Sequence, residues 1–181
     1  MLEKITLGAG CFWCIEAAFN SVRGIESAVS GYMGGSAATA NYQAVCGGDT
    51  GHVEVVQLTY DSNLIDIKLI LEMFLYLHDP TSMDKQGNDV GSQYRSVWFY
   101  YTPQQQQVAE QLIGSLNATD AYSGEPIVTQ IRAAEPFYAA ESYHQGYVNA
   151  NPQQPYCSLL VVPKLHKFRK EFSAYLKQPG L

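Results

Sequence analysis

The stretch HVEVVQLTY, residues 52–60, constrains the fold more than any other part of the chain. It is rich in β-branched and aromatic side chains, holds neither Gly nor Pro, and reads as a strand. Around it the apolar pattern switches between periods of two and 3.6. MLEKITL reads as a short strand, and the glycines of GAG supply a bend before WCIEAAFNSV, where Ile15, Ala18, Phe19 and Val22 recur at helical spacing. GIESAVSGYM reads as a second strand, followed by a glycine-rich, irregular region. Beyond the central strand, Ile67, Ile70, Leu71 and Phe74 share one face of a helix over 66–77. YRSVWFYY is a strand ending at Thr102, an expected N-cap with Pro103 at the first helical position and Gln105 closing a capping box. Val108, Leu112, Ile113 and Leu116 form the buried stripe of that helix. PIVTQIRAA reads as a further strand, ESYHQGYVNA as a short helix halted by Asn151-Pro152, and KLHKFRKEFSAYL as a terminal helix.

Strand, helix, two strands, helix, strand, helix, strand is the order of an α+β fold. The expectation is a mixed sheet with helices packed on it, a split βαβ or ferredoxin-like sandwich, rather than a parallel doubly wound sheet. The Gly/Pro/Gln-rich stretches, NANPQQPY above all, are expected as long coil over the core, leading into a helical C-terminal segment. With 181 residues, 46% of them hydrophobic, the chain suits one core and a single domain over 1–181.

A formal charge of −6 argues against a nucleic-acid partner. The basic cluster Lys164, Lys167, Arg169 and Lys170 reads as the solvated face of the terminal helix. No apolar run approaches the ~20 residues of a membrane span, and the first residues show neither a long apolar core nor a basic lead-in. A cytoplasmic, monomeric protein is therefore expected. Four cysteines, two of them in a CxxC, look less like a secreted disulfide framework than like a redox or metal site.

Cys11 falls where a strand hands over to a helix start. Unpaired N–H groups and the helix dipole should lower its pKa and enrich the nucleophilic thiolate. The competing reading, a buried packing cysteine, fits poorly beside Gly8 and Gly10. Phe12 and Trp13 next to it make an apolar wall able to hold a small group such as an S-methyl, although core packing is the commoner fate of such a pair. Along HVEVVQLTY the period of two puts Glu54 on the face of Val56, Leu58 and Tyr60. There its carboxyl would be desolvated and kept protonated; at a solvated strand end it would not.

The string GCFWCIEAAF resembles the signature of A-type peptide-methionine sulfoxide reductases. The resemblance continues in order through GYMGG, NYQAVCGGDTGHVEVV, HDPTSMDKQGNDVGSQYRS, FYAAESYHQGY and QPYC, covering nearly the whole chain up to the terminal helix. It implies reduction of the S epimer of methionine sulfoxide, free or in proteins, with thioredoxin as reductant and no cofactor or metal. It implies Cys11 as nucleophile, Glu54 as acid, Tyr42 and Tyr94 as hydroxyls for the sulfoxide oxygen, Asp89 as their support, and Phe12 and Trp13 as the methyl-binding wall. His144 also matches a family position and is expected behind the reacting groups. A sulfenic acid on Cys11 needs a resolving thiol. Cys157, matching the family's recycling cysteine and expected on mobile coil, competes with Cys14, one helical turn from Cys11 and within disulfide range. Cys46 stays uncommitted, either mobile among glycines or a free structural thiol.

Two other readings remain at this level. A thioredoxin-like disulfide oxidoreductase would also place CxxC at a helix start, but it would carry Trp before the first cysteine rather than Phe-Trp inside the motif. A structural zinc site drawing on Cys11, Cys14, Cys46, Cys157 or a histidine lacks the second CxxC or HxxxH pair such modules use.

Overall fold

The computed structural model describes residues 1–177. Its central unit is strand β1 (Leu2–Gly8), helix α1 (Phe12–Asn20), the paired strands β2 (Ile25–Met33) and β3 (Val53–Asp61), and helix α3 (Ile67–Tyr76); a short helix α2 (Tyr42–Cys46) lies between β2 and β3. A small hairpin of β4 (Lys85–Gln86) and β5 (Asp89–Val90) precedes β6 (Val97–Tyr100), helix α4 (Pro103–Asn117), β7 (Gln130–Ala133) and β8 (Tyr138–Ala139). Helices α5 (Tyr147–Ala150) and α6 (Val162–Glu171) follow. The six-stranded sheet runs β7-β6-β1-β3-β2-β8, with every neighbour antiparallel except β6 and β7. The crossover through α1 leaves a gap between β1 and β2, and β3 fills it by pairing with both. That is the split βαβ arrangement, an α+β mixed sheet as expected.

Burial follows the alternation of β3. Val56, Leu58 and Tyr60 join β1, α1 and α3 in the main core, while Val53 and Val55 point to the opposite face and pack with Met33, Val97 and Phe99. Both faces near the start of β3 are therefore dry, and Glu54, on the main-core face, is 2% exposed.

Several boundaries differ from those read in the sequence. The strand expected over PIVTQIRAA shrinks to Gln130–Ala133, an edge strand beside β6. ESYHQGYVNA is no single helix: a 3₁₀ turn at Ser142–His144 is separated from α5 by Gly146, whose φ of +63° breaks helical geometry. The capping box at Thr102 is half formed. The Thr102 hydroxyl accepts from the Gln105 N–H at 3.2 Å, but the Gln105 side chain turns inward. It accepts from the Tyr101 N–H and donates to the Lys4 carbonyl and the Tyr60 hydroxyl, joining β1, β3 and β6 to α4. Burial rewards three bonds made in the core over one made to the helix end. The coil expected before the terminal helix is shorter than predicted, because helical turns begin ahead of α6: Cys157–Val161 form a π-type turn running directly into it. Among the described residues no helix is long and apolar enough to cross a membrane.

Gln105 is 1% exposed, so Gln105→Ala strands the Lys4 carbonyl and Tyr60 hydroxyl away from water. The expected loss is about 2–4 kcal/mol of unfolding free energy, measured by urea denaturation.

Candidate active site

The end of β1 and the start of α1 place Cys11. Gly10 has φ +82°, and a Cβ there would lie 2.9 Å from the Gln86 side chain, so only glycine fits the bend. Cys11 then takes the N-cap position of α1 in extended geometry. Its side chain is partly exposed, and the Trp13 N–H and the Tyr156 hydroxyl both act on its sulfur. From the neighbouring strand, Glu54 Oε1 accepts the Phe12 N–H at 3.3 Å. Nucleophile and carboxyl thus meet at one helix start.

One cavity of about 210 Å³ is lined by Cys11, Phe12, Trp13, Tyr42, Glu54, Asp89 and Tyr94, together with Gln154 and Tyr156. Residues separated by more than eighty positions are brought together, and they include every candidate nucleophile, acid, hydroxyl and wall residue read from the sequence. His144 stands behind the wall: its Nδ1 accepts from Trp13 Nε1 at 3.0 Å, and its ring packs against Phe12 and Tyr42. Trp13 is held on its other side by Tyr147, stacked at 3.8 Å with the planes 7° apart. Cys14 and Cys157 do not line this cavity. Cys46 is exposed.

The electrostatics overturn one expectation. The Cys11 pKa lies well above that of a free thiol, not below it. Burial is the first cause and the Glu54 carboxylate the second; the Trp13 N–H and Tyr156 hydroxyl favour the thiolate but do not outweigh them. The helix start is therefore spent on a site that also holds a carboxyl. Glu54 is itself pushed up to about 8 by burial, with the Phe12 N–H opposing and Asp89 adding to the rise. The desolvated acid expected on that strand face is present. Near neutrality both groups rest with their protons. Burial also raises Tyr42 and Tyr94, which stay hydroxyls throughout the working range.

The Cys157 expectation also needs correction. It does not sit on coil: it is the first residue of the π-type turn before α6 and has no exposed surface. The apolar run after Tyr156 provides helix-side packing for it, with Val161, Leu165 and Phe168 in the same core.

Three contributors escaped the sequence reading. The Tyr156 hydroxyl donates to Asp89 Oδ2 at 2.6 Å while lying against the Cys11 sulfur, and its ring meets Trp13 edge-on. Glu16, buried on α1, accepts the Gly146 N–H with both oxygens and so ties the 142–150 segment to the helix that carries Cys11. Glu141 accepts from the Tyr42 N–H, the Tyr32 hydroxyl and the Tyr143 hydroxyl, fixing the start of α2. None has a local signature, apart from the acidic residue that follows the cysteine motif. Among the described residues no three Cys, His, Asp or Glu side chains are grouped as a metal site.

A thiol and a protonated carboxyl facing one aromatic-walled cavity on a split βαβ sheet define a site for acid-assisted sulfur chemistry. Comparison with known proteins gives the family. Residues 3–176 match the family model described as peptide methionine sulfoxide reductase. The chain is similar to the peptide methionine sulfoxide reductase MsrA of Psychrobacter cryohalolentis, 50% identical over 97% of this chain and 99% of that protein. Its fold is similar to that of Mxr1 from Saccharomyces cerevisiae in reduced form, with a TM-score of 0.78 and 32% identity over 84% of this chain and 87% of that one. The structure of Mxr1 in complex with Trx2 matches at 22% identity over 81% of this chain and 84% of that one, with a TM-score of 0.56, and shows the fold alone. The chain belongs to the peptide methionine sulfoxide reductase family.

Replacing Glu54 by Gln removes the charge that opposes the thiolate. The apparent pKa of Cys11, followed by iodoacetamide alkylation across pH with mass spectrometry, is expected to fall by about one unit while staying above that of a free thiol, since burial remains. An unchanged alkylation profile would show that the carboxylate and thiol do not interact.

Proposed function

We propose that this protein reduces the S epimer of methionine sulfoxide, free or within peptides and proteins, to methionine, and that residues 1–181 act as a single catalytic domain. Family membership supports the activity. The observation that carries the mechanism is the shared cavity of Cys11, Glu54, Tyr42 and Tyr94, closed on one side by Phe12 and Trp13.

The sulfoxide methyl packs on the Trp13 ring, and the oxygen points to Glu54 and the two phenols. Glu54 gives its proton to the oxygen, which makes the sulfoxide sulfur electrophilic, and the carboxylate left behind takes up the proton of the Cys11 thiol. Cys11 attacks that sulfur. Two electrons pass from the thiol sulfur to the sulfoxide sulfur and the oxygen passes the other way, leaving methionine and a Cys11 sulfenic acid. Asp89, joined to Tyr156, supports the polar side of the cavity, and His144 holds the indole plane.

A second cysteine then displaces the oxygen as water and leaves a disulfide. Cys14 and Cys157 are the candidates, and the burial of Cys157 requires its helical turn to move before it can take part. The external reductant is a thioredoxin, a reading supported by membership of the family. The cytoplasm is the proposed compartment.

Under single-turnover conditions with a methionine sulfoxide peptide, Cys11→Ser is expected to give no methionine. Glu54→Gln should lower the rate of oxygen transfer by about 10²–10⁴-fold. The rate of the native protein should fall as pH rises through about 8, where Glu54 loses its proton, and that falling limb should be absent from Glu54→Gln. Methionine release by Cys11→Ser would remove the basis of the mechanism.

A further inference from the structure

Glu16 is a buried carboxyl that oxygen transfer does not use. It is 3% exposed in the middle of α1, and among the described residues its one hydrogen-bond donor is the Gly146 N–H, which both of its oxygens accept, at 2.9 and 3.0 Å. Burial pushes its pKa up, and the Gly146 N–H opposes the rise. A carboxyl is costly in such a place, where an apolar side chain would pack without penalty. What this one supplies is a fixed point for the chain at Gly146.

Gly146 stands between the two residues that hold the Trp13 ring. His144, two positions before it, accepts at Nδ1 from Trp13 Nε1 at 3.0 Å, and Tyr147, the next residue, lies stacked on the indole at 3.8 Å. The φ of +63° at Gly146 turns the chain between the 3₁₀ turn and α5, so that an imidazole and a phenol reach the same indole. Gln145 pins this segment to β2 through the Ser30 N–H and carbonyl, but β2 does not carry the indole. Trp13 and Glu16 are three residues apart on α1, neighbours on one face of the helix. The Glu16 bond therefore sets the clamp directly against the helix that carries the wall.

We propose that Glu16 is a positioning residue that determines specificity: by gripping Gly146 it holds the Trp13 ring at the spacing that admits an S-methyl group and rejects an S-ethyl group. The proposal rests on the reductase reading above, in which the sulfoxide methyl packs on Trp13, and adds the residue that sets how strictly that methyl is recognised.

The surroundings of the ring leave it little room to give. Tyr147 covers one face, His144 takes its N–H and Tyr156 meets it edge-on, around a cavity of about 210 Å³. A rigid apolar pocket discriminates a single methylene by about 10–200-fold. A ring released from its clamp shifts to absorb the added carbon and forfeits that difference.

The test uses the whole protein with excess dithiothreitol and two peptides that differ only in the sulfoxide, one carrying methionine sulfoxide and the other ethionine sulfoxide. The readout is the ratio of their kcat/KM values. The native protein should favour methyl by about tenfold or more. Glu16→Leu keeps the apolar packing and drops the acceptor; its ratio should fall by about tenfold, with a raised KM for the methyl peptide. Glu16→Gln, which keeps an acceptor for the Gly146 N–H, should restore most of the native ratio. Tyr147→Leu should lower the ratio as Glu16→Leu does, and the double variant should lose no more than either alone. Gln105→Ala, destabilised at the opposite ends of β1 and β3, should keep the native ratio, which separates the clamp from general loosening of the fold. If Glu16→Leu does not fold, Glu16→Asp, one methylene short of Gly146, takes its place with the same expectation. A native protein that takes both peptides alike, an unchanged ratio in Glu16→Leu, an equal fall in Gln105→Ala, additive losses in the double variant or failure of Gln to restore the ratio overturns the proposal and leaves the reductase reading intact. If the native protein releases no methionine from the methyl peptide, the reductase reading itself fails and takes this inference with it.

Discussion

The meeting of the Glu54 carboxyl with the first N–H of α1 is the constraint on which the site depends. A carboxyl on a dry strand face is costly when ionised, and its pKa rises until it keeps a proton near neutrality. The helix start that could have stabilised a thiolate on Cys11 instead serves this acid as well. The result is a resting site in which thiol and carboxyl both keep their protons, waiting for a ligand polar enough to accept one of them. A sulfoxide oxygen between two hydroxyls has that character.

The fold supplies this meeting because β3 lies between β1 and β2. Pairing with β1 fixes where the Cys11 bend arrives, and pairing with β2 buries the start of β3 on both faces. Irregular chain supplies the rest. The 138–156 region is held by buried or networked carboxylates, Glu16 on the Gly146 N–H and Glu141 on the start of α2, rather than by a continuous ladder. Those anchors bring Tyr147 and His144 against Trp13, so the indole wall is clamped from two sides. Such a wall is rigid without needing regular secondary structure around it.

Much of this was legible in residue order. The alternation of HVEVVQLTY placed Glu54 on the core side, the helical spacing after Cys11 placed the thiol at a helix start, and the order of strands and helices led to the split βαβ sheet. Other features were not. Gln105 occupies a capping-box position, yet its side chain serves a β1–β3 junction contributed by residues far away in the chain. NANPQQPYC looks like coil by composition, but the apolar residues that follow pull its last turn into the core. Tyr156 is one tyrosine among thirteen, and only the folded chain lays it across Cys11 and Asp89.

By itself the sequence determined most of the elements and the faces they bury, and it marked Cys11 and Glu54 as candidates for the chemistry, because periodicity and side-chain chemistry are local properties. Tertiary structure alone decided the protonation of Cys11, the burial of Cys157 and the gathering of Cys11, Glu54, Tyr42 and Tyr94 around one cavity. The physical reason is common to all three. A pKa, a buried position and a cavity wall are set by atoms that approach through space from distant parts of the chain, and no local pattern records the distance at which they come to rest.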